Sequence, residues 1–322
     1  MPVPLDIVVL HEHPEWQKPL FAALARRGVS FEAFDLKHAA FDVDDVPAAR
    51  LYFNQASPSA YVRGNTRAVP LALALMKTLE TRGSMVLNGS AAFALELSKS
   101  AQVALIRRLG LLAPRTLVFN AVAAVGTCAT GFAWPALLKP EQGGSGARMF
   151  LLASHAELAR LLELRPELWE PDHLLLLQEL IPNDPARGIT RMEFLGGELL
   201  YAMRVVSHGR FNLCPSEMCN PESGDGACER PMVAAPPVEF HAYPEVPAAV
   251  VEGARRIVLA GGLDVAGIEC IETPDGPVFY DVNANSNLRA PIGLAFGFDP
   301  FERVVDFLVA RLTRGAPNAA EA

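Results

Sequence analysis

From Asp6 to about residue 95 the chain alternates short apolar runs with helical ones, and that alternation restricts the fold more than any other feature. The segments are DIVVL, a helical pattern from about Glu15 to Arg27, SFEAFD, RLYFN and the long helical stretch RAVPLALALMKTLETRG. Strands joined through helices predict a parallel sheet with covered faces. Ligands of such sheets collect at the carboxyl ends of the strands. Those ends carry HEHPEW and NQASPSAYVRG here. His11 to His13 therefore read as a capping or substrate-facing group rather than a metal site. Ser59 and Arg63 read equally as substrate contacts or as a turn with an exposed arginine.

Near Asn88 the pattern changes. In NGSAAFALELSKSAQVALIRRLGLLAPRT, Leu95, Ala101, Leu105 and Leu109 fall near helical spacing before a Gly and Pro114 end the run. Strands dominate afterwards: RTLVF, WPALLKP, ARMFLL, HLLLLQEL and ITRMEFLGGELLYAMRVV, interrupted by one helix from about Ser154 to Leu164. Gly196 and Gly197 between apolar runs predict a two-residue hairpin turn. Residues 207–240, rich in Pro, Gly and Cys, read as a long surface loop. A helix from about Pro244 to Ala260 follows, and DPFERVVDFLVARL closes the fold with Asp299 as its cap. The expected organisation is an α/β (α+β) chain in three parts: 1–97, 98–206 and 207–322.

The formal charge of −8 argues against general nucleic-acid binding, so any anionic ligand must be met by local cations. No apolar run approaches a membrane span of roughly 18 residues, and the N-terminus lacks the basic flank of a signal peptide. Five scattered cysteines do not form a disulfide framework, and those of CPSEMCNPESGDGAC lack zinc spacing. A reducing cytoplasm is the expected compartment.

The chemistry concentrates in GLDVAGIECIETPDGPVFYDVNANSNLRAP. If TPDG turns with Gly276 left-handed, the loop has three residues and Thr273 pairs with Pro277. Glu269 then lies opposite Asp281, and the period of two places Asp281, Asn283 and Asn285 on one face with Tyr280, Val282 and Ala284 on the other. Like charges facing across a ladder repel. A divalent cation resolves the conflict, and oxygen-only donors favour Mg²⁺ over zinc. The plainer alternative is a solvated hairpin face with unpaired acids. In WPALLKPEQGGSGARMF, Lys139 precedes Gly143, Gly144 and Gly146. Backbone amides of such a loop approach phosphate closely beside the lysine charge, although the spacing also suits a mobile hairpin turn.

Together these segments resemble the ATP-grasp superfamily, within it the RimK-like carboxylate-amine ligases related to D-alanine-D-alanine ligase. The resemblance runs in order through LSKSAQVALIRRLGLLAPRT, LLKPEQGGSGARMF, LLLLQELI, GITRMEFLGGELLYAMRV and the hairpin. It implies an ATP-grasp fold with an N-terminal parallel-sheet βα pre-grasp domain, and ATP and Mg²⁺ as cofactors. Lys99 and Lys139 match the ATP-phosphate lysines, and Gln142, Gly143, Gly144, Ser145 and Gly146 the loop that closes over the phosphates. Gln178, Glu179, Leu180 and Ile181 match the adenine-reading linker, with Asp184 in the place of a ribose contact. Arg191 and Arg204 match two family arginines, the second near the transferred phosphoryl group. Glu269, Asp281 and Asn283 match the magnesium triad. Ile189 stands where an acid is expected, and NSNLRAP departs from the usual continuation, placing Arg289 where a substrate carboxylate or phosphoryl intermediate lies.

The implied reaction joins a carboxylate to an amine through an acyl phosphate, with amino acids or peptides as substrates and a homodimer as the assembly. A kinase releasing the phosphorylated product, and a nucleotide-binding protein without turnover, are the two alternatives.

Overall fold

The structure, a computed structural model, describes residues 5–128, 131–144, 146–208, 238–286 and 288–314. Strands β1 (Leu5–His11), β2 (Phe31–Asp35), β3 (Ala49–Gln55) and β4 (Val86–Leu87) form a parallel sheet in the order β2-β1-β3-β4. Ile7, Val8, Val9 and Leu10 are all fully buried, as a parallel strand covered on both faces requires. Ile7 and Val9 enter one core with the helices Pro14–Arg26 and Pro300–Arg314. Val8 and Leu10 enter another with the helix Ala68–Thr81. Alternate side chains of one strand thus feed two layers.

The helical stretch after Asn88 is two helices, Ser90–Leu97 and Lys99–Arg108. Ser98 breaks it with extended backbone, and its hydroxyl caps the second helix by accepting the amide of Ala101 at 3.2 Å. Next come β5 (Thr116–Phe119), β6 (Ala136–Pro140), β7 (Phe150–Leu152) and β8 (Leu175–Glu179), an antiparallel sheet in the order β5-β8-β6-β7. The helix His155–Leu164 starts where expected, capped by Ser154. The short helix Val122–Cys128 has no counterpart in the sequence reading; its small residues carry no clear apolar stripe.

Strands β9 (Ile189–Leu195), β10 (Glu198–Val206), β11 (Glu239–Ala242), β12 (Val265–Thr273) and β13 (Gly276–Asn283) build the third sheet, antiparallel, in the order β11-β10-β9-β12-β13. Gly196 and Gly197, with φ of 60° and 87°, make the two-residue turn. The line drawn at residue 207 runs through this sheet, because β9 and β10 pair with strands that follow it. β11 comes from the end of the expected surface loop; Cys214, Cys219 and Cys228 lie outside the described residues. The helix Ala248–Ala260 covers the back of the sheet. Asp299 caps the closing helix, accepting the amide of Phe301 at 2.9 Å.

Candidate active site

A cavity of about 590 Å³ opens where the three sheets face one another. Its floor is the β12–β13 hairpin, whose register differs from the sequence reading and yet delivers the same pair. Thr273 pairs with Gly276, so the loop has two residues rather than three. One extra residue, Tyr280, then bulges between the pairs Cys270–Phe279 and Glu269–Asp281. The bulge restores the expected facing of the two acids. It also turns Tyr280, assigned to the opposite face by strict alternation, toward the cavity, where its hydroxyl donates to Glu269 at 2.9 Å. Val282 and Ala284 point into the core behind, as expected.

Each acid is met by a cation. Asp281 pairs with Lys99 and accepts the Asn283 carboxamide at 3.0 Å. Glu269 accepts Arg191 at 2.8 Å, and Arg191 reaches Glu193 at 2.7 Å. Burial, then the Asp281 charge, pushes the Glu269 carboxyl above its ordinary value against the pull of Arg191. Burial also works against Asp281, but Lys99 and Lys139 outweigh it and hold that carboxyl low. Arg191 is held fully charged because Glu193 and Glu269 overcome its burial.

These donors suit a hard cation. Among the described residues no three His, Cys, Asp or Glu side chains cluster as a metal cage. The Glu269 and Asp281 carboxylates and the Asn283 carboxamide instead match Mg²⁺, which takes one or two carboxylates and leaves the rest of its shell to water and phosphate. The repulsion between facing acids is the structural observation that such an ion relieves.

On the opposite wall, β6 brings Lys139 into the cavity. It is 7% exposed, and no acceptor among the described residues engages its ammonium group. Burial, then Lys99, brings its pKa down to about 8. Gly143, Gly144 and Gly146 follow along the cavity edge, with Gly146 left-handed at φ 69°. Ser145 lies outside the described residues. The loop runs so close to the parallel sheet that a Cβ on Gly144 would sit 2.9 Å from that of Ser59. Gln142 spans the same gap, donating to the Pro58 carbonyl at 3.3 Å. Gln178, Glu179, Leu180 and Ile181 line the cavity where β8 ends. Gln178 is tied to Thr116 at 2.9 Å, and the Glu179 carboxylate accepts the amide of Arg115 at 3.1 Å.

Three expected residues are placed differently. Arg204 lies on the other face of the third sheet, paired with Glu272 at 2.8 Å and stacked 4.0 Å from the Tyr243 ring. The cause is a bulge in β10 between Leu199 and Tyr201, which shifts the strand by one residue and reverses its faces. The Asp184 side chain closes its own turn, accepting the amide of Ala186 at 2.9 Å. Arg63 is not exposed: it is buried against Glu12, 4.6 Å from the Trp16 ring, and donates to Ser59 at 3.1 Å. His13 caps the helix Pro14–Arg26 through Nδ1, in keeping with the capping role expected of it. Arg289 does line the cavity, with its guanidinium 3.3 Å from the Phe240 ring centroid.

The sequence reading missed Glu96, which lines the cavity at 1% exposure. One oxygen accepts the Asn285 amide at 3.1 Å, and the other has no partner among the described residues. Burial, above all, raises its pKa to about 8. The only signal was an acid within the apolar helix SAAFALEL. Glu193, fully buried beneath Arg191, was passed over in the same way inside ITRMEFL.

No family model matches the chain. It is 25% identical over 243 residues to a probable alpha-L-glutamate ligase of Aeromonas salmonicida, spanning 75% of this chain and 73% of that protein. Among solved structures it is similar to an ATP-grasp RimK domain protein from Sphaerobacter thermophilus, with a TM-score of 0.68 at 19% identity over 94% of this chain and 98% of the other. D-alanine–D-alanine ligase from Bacillus anthracis, solved with ATP, gives a TM-score of 0.68 at 13% identity over 97% and 98%. The chain has the ATP-grasp fold that its ordered segments imply.

Proposed function

We propose that this ATP-grasp chain is an ATP-dependent ligase that joins a carboxylate to an amine, releasing ADP and phosphate. The observation that carries the reading is the double pairing on the cavity floor, Lys99 with Asp281 and Arg191 with Glu269, opposite a buried Lys139 that has no partner among the described residues. A site built of matched cations and acids can exchange both partners at once. Triphosphate takes the lysines and the arginine, and the carboxylates are freed for a cation.

Glu269, Asp281 and Asn283 would hold Mg²⁺, which supplies neutralisation of phosphate charge when bound. Lys99 and Lys139 bind the phosphates, and the backbone of Gln142, Gly143, Gly144 and Gly146 covers them. Leu180 and Ile181, leaving the ladder at the end of β8, offer backbone groups to adenine beside Gln178 and Glu179. Tyr280 orients Glu269, and Arg191 faces the phosphoryl group as it moves. An oxygen of the substrate carboxylate attacks the γ-phosphorus, the bond to the β–γ bridging oxygen breaks, and ADP leaves. The amine nitrogen then attacks the acyl carbon, loses a proton, and the carbon–oxygen bond to phosphate breaks. No protein nucleophile is needed; position and charge do the work.

The glutamate ligase and D-alanine ligase relatives support amino acids or peptides as the substrate class. No helix among the described residues is long and apolar enough to cross a membrane, and we assign the protein to the cytoplasm, where ATP and Mg²⁺ are plentiful. The test is incubation with ATP, Mg²⁺ and amino-acid pairs, following ADP and the products by mass. An amide with one ADP and one phosphate per bond supports the ligase. A stable phosphorylated product would instead make the protein a kinase.

A further inference from the structure

The cavity has an apolar region beside the charged one. Leu20, Phe53, Met203, Val265, Leu288 and Val304 line it, and all six belong to one buried hydrophobic cluster. They come from the helix Pro14–Arg26, β3, the third sheet, the segment after β13 and the closing helix. The sheet that carries Lys139 and Gln178 contributes none of them, so this chamber is walled by the first and third sheets, the two helices and the segment after β13.

Two polar groups stand at its margin. Arg289 has no carboxylate partner among the described residues, whereas Arg191 has two. The Arg289 guanidinium lies against Phe240, itself packed on the same apolar cluster. Burial, then the charge of Arg191, lowers its pKa to about 10, as for a cation short of a counter-charge. Gln17 lines the cavity at 4% exposure, and its carboxamide has no hydrogen-bond partner among the described residues.

We propose that one of the two molecules joined by this ligase is an amino acid with a bulky apolar side chain, seated in the chamber with its carboxylate on Arg289. The proposal rests on the ligase reading and narrows it. Arg289 matches one carboxylate and, among the described residues, no second unpaired cation stands at the chamber, so glutamate or aspartate would bury an unpaired charge. A lysine side chain would meet the same penalty. Burial of a leucine or phenylalanine side chain, by contrast, favours binding over alanine by roughly ten- to hundredfold.

The full chain is assayed for ADP release with MgATP and pairs of amino acids drawn from Leu, Met, Phe, Ala, Ser, Glu and Lys. Thermal shift with the same amino acids is recorded beside a non-hydrolysable ATP analogue. Leucine, methionine or phenylalanine is expected to exceed alanine in kcat/KM by roughly tenfold or more and to raise the melting temperature. Val304→Phe, which fills the chamber, is expected to lower the Leu-to-Ala ratio by about tenfold, and Val304→Ala to move preference toward phenylalanine. Arg289→Gln should weaken binding of every amino acid at this position without altering the preference among side chains. A wild-type preference for glutamate or lysine, or an unaltered Leu-to-Ala ratio in folded Val304→Phe and Val304→Ala, overturns the proposal. Calorimetric binding of MgATP separates the two levels. Loss of MgATP binding would sink the ligase reading itself, whereas intact MgATP binding with no response to apolar amino acids would sink only the chamber assignment.

Discussion

Replacing Glu96 with glutamine should stabilise the protein at alkaline pH and leave it nearly unchanged in mild acid. Glu96 is 1% exposed, its Oε1 accepts the Asn285 amide at 3.1 Å, and its Oε2 has no partner among the described residues. Burial first, with a contribution from Asp281, raises its pKa from 4.5 to about 8. Between those values the unfolded chain has released the proton while the folded chain keeps it. Stability from this group is therefore fully present below pH 4.5 and is lost as pH rises toward 8. The slope is about 1.4 kcal/mol per pH unit, so roughly 3 kcal/mol disappears between pH 5.5 and 7.5, and the loss levels off near about 5 kcal/mol above pH 8.

Glutamine keeps the size of the side chain and the acceptor for Asn285, and it never ionises. At pH 5.5 folded wild-type Glu96 is protonated and only about 1.4 kcal/mol of the linked stability has gone, so with one unpaired O–H donor in the acid against two N–H donors in glutamine the two proteins should agree within about 2 kcal/mol. At pH 8.5 the variant should be the more stable by a few kcal/mol. Urea denaturation at four pH values, each extrapolated to water, measures the difference directly. Other titrating groups cancel in the comparison. Two curves that run parallel from pH 5.5 to 8.5 would refute the reasoning, since they would mean that Glu96 is already ionised in the folded protein.

Three further outcomes are expected. Lys139 is neutral in the free protein above its pKa of about 8 and must regain a proton to hold phosphate, so the dissociation constant for MgATP should rise by up to about tenfold per pH unit above that point; in Lys139→Ala, calorimetry should find that slope gone. Gly144→Ala places a Cβ 2.9 Å from that of Ser59, so the loop must shift; the KM for ATP should rise about tenfold, and Ser59→Gly in the same chain should recover most of it. Arg204→Met breaks a largely buried pair with Glu272 and should cost about 3 kcal/mol in urea denaturation, while MgATP affinity stays within roughly twofold. A large loss of MgATP affinity without a loss of stability would return Arg204 to the active site.

Much of the fold was legible because its signals are local. The parallel sheet followed from apolar runs spaced by helices, and the turn at Gly196–Gly197 from a glycine pair that accepts two left-handed residues without strain. The break at Ser98 was hidden, since helical spacing continues across it while the capping hydroxyl that ends it is one residue among many polar ones. Glu96 and Glu193 were hidden for a different reason. An acid among apolar residues reads as the exposed edge of a helix or strand, and only tertiary packing decides that these two are enclosed.

Two bulges decide how the arginines and acids are distributed, and they acted in opposite directions on the sequence reading. In the β12–β13 hairpin the turn is one residue shorter than expected, which alone would slip Glu269 away from Asp281; the bulge at Tyr280 adds the residue back, and the pair survives. In the β9–β10 hairpin the turn is as expected, and without a bulge Arg204 would share the face of Arg191. The extra residue at Leu200 moves Arg191 into register with Met203 and sends Arg204 to the far side. Each bulge therefore selects which charges meet on the cavity floor: two cations against two acids, with Tyr280 added and Arg204 removed. Had Arg204 stayed on the cavity face beside Arg191 and Arg289, a third guanidinium would have crowded a region whose remaining walls are apolar. Its removal leaves Arg289, among the described residues, as the guanidinium without a carboxylate partner beside those apolar walls.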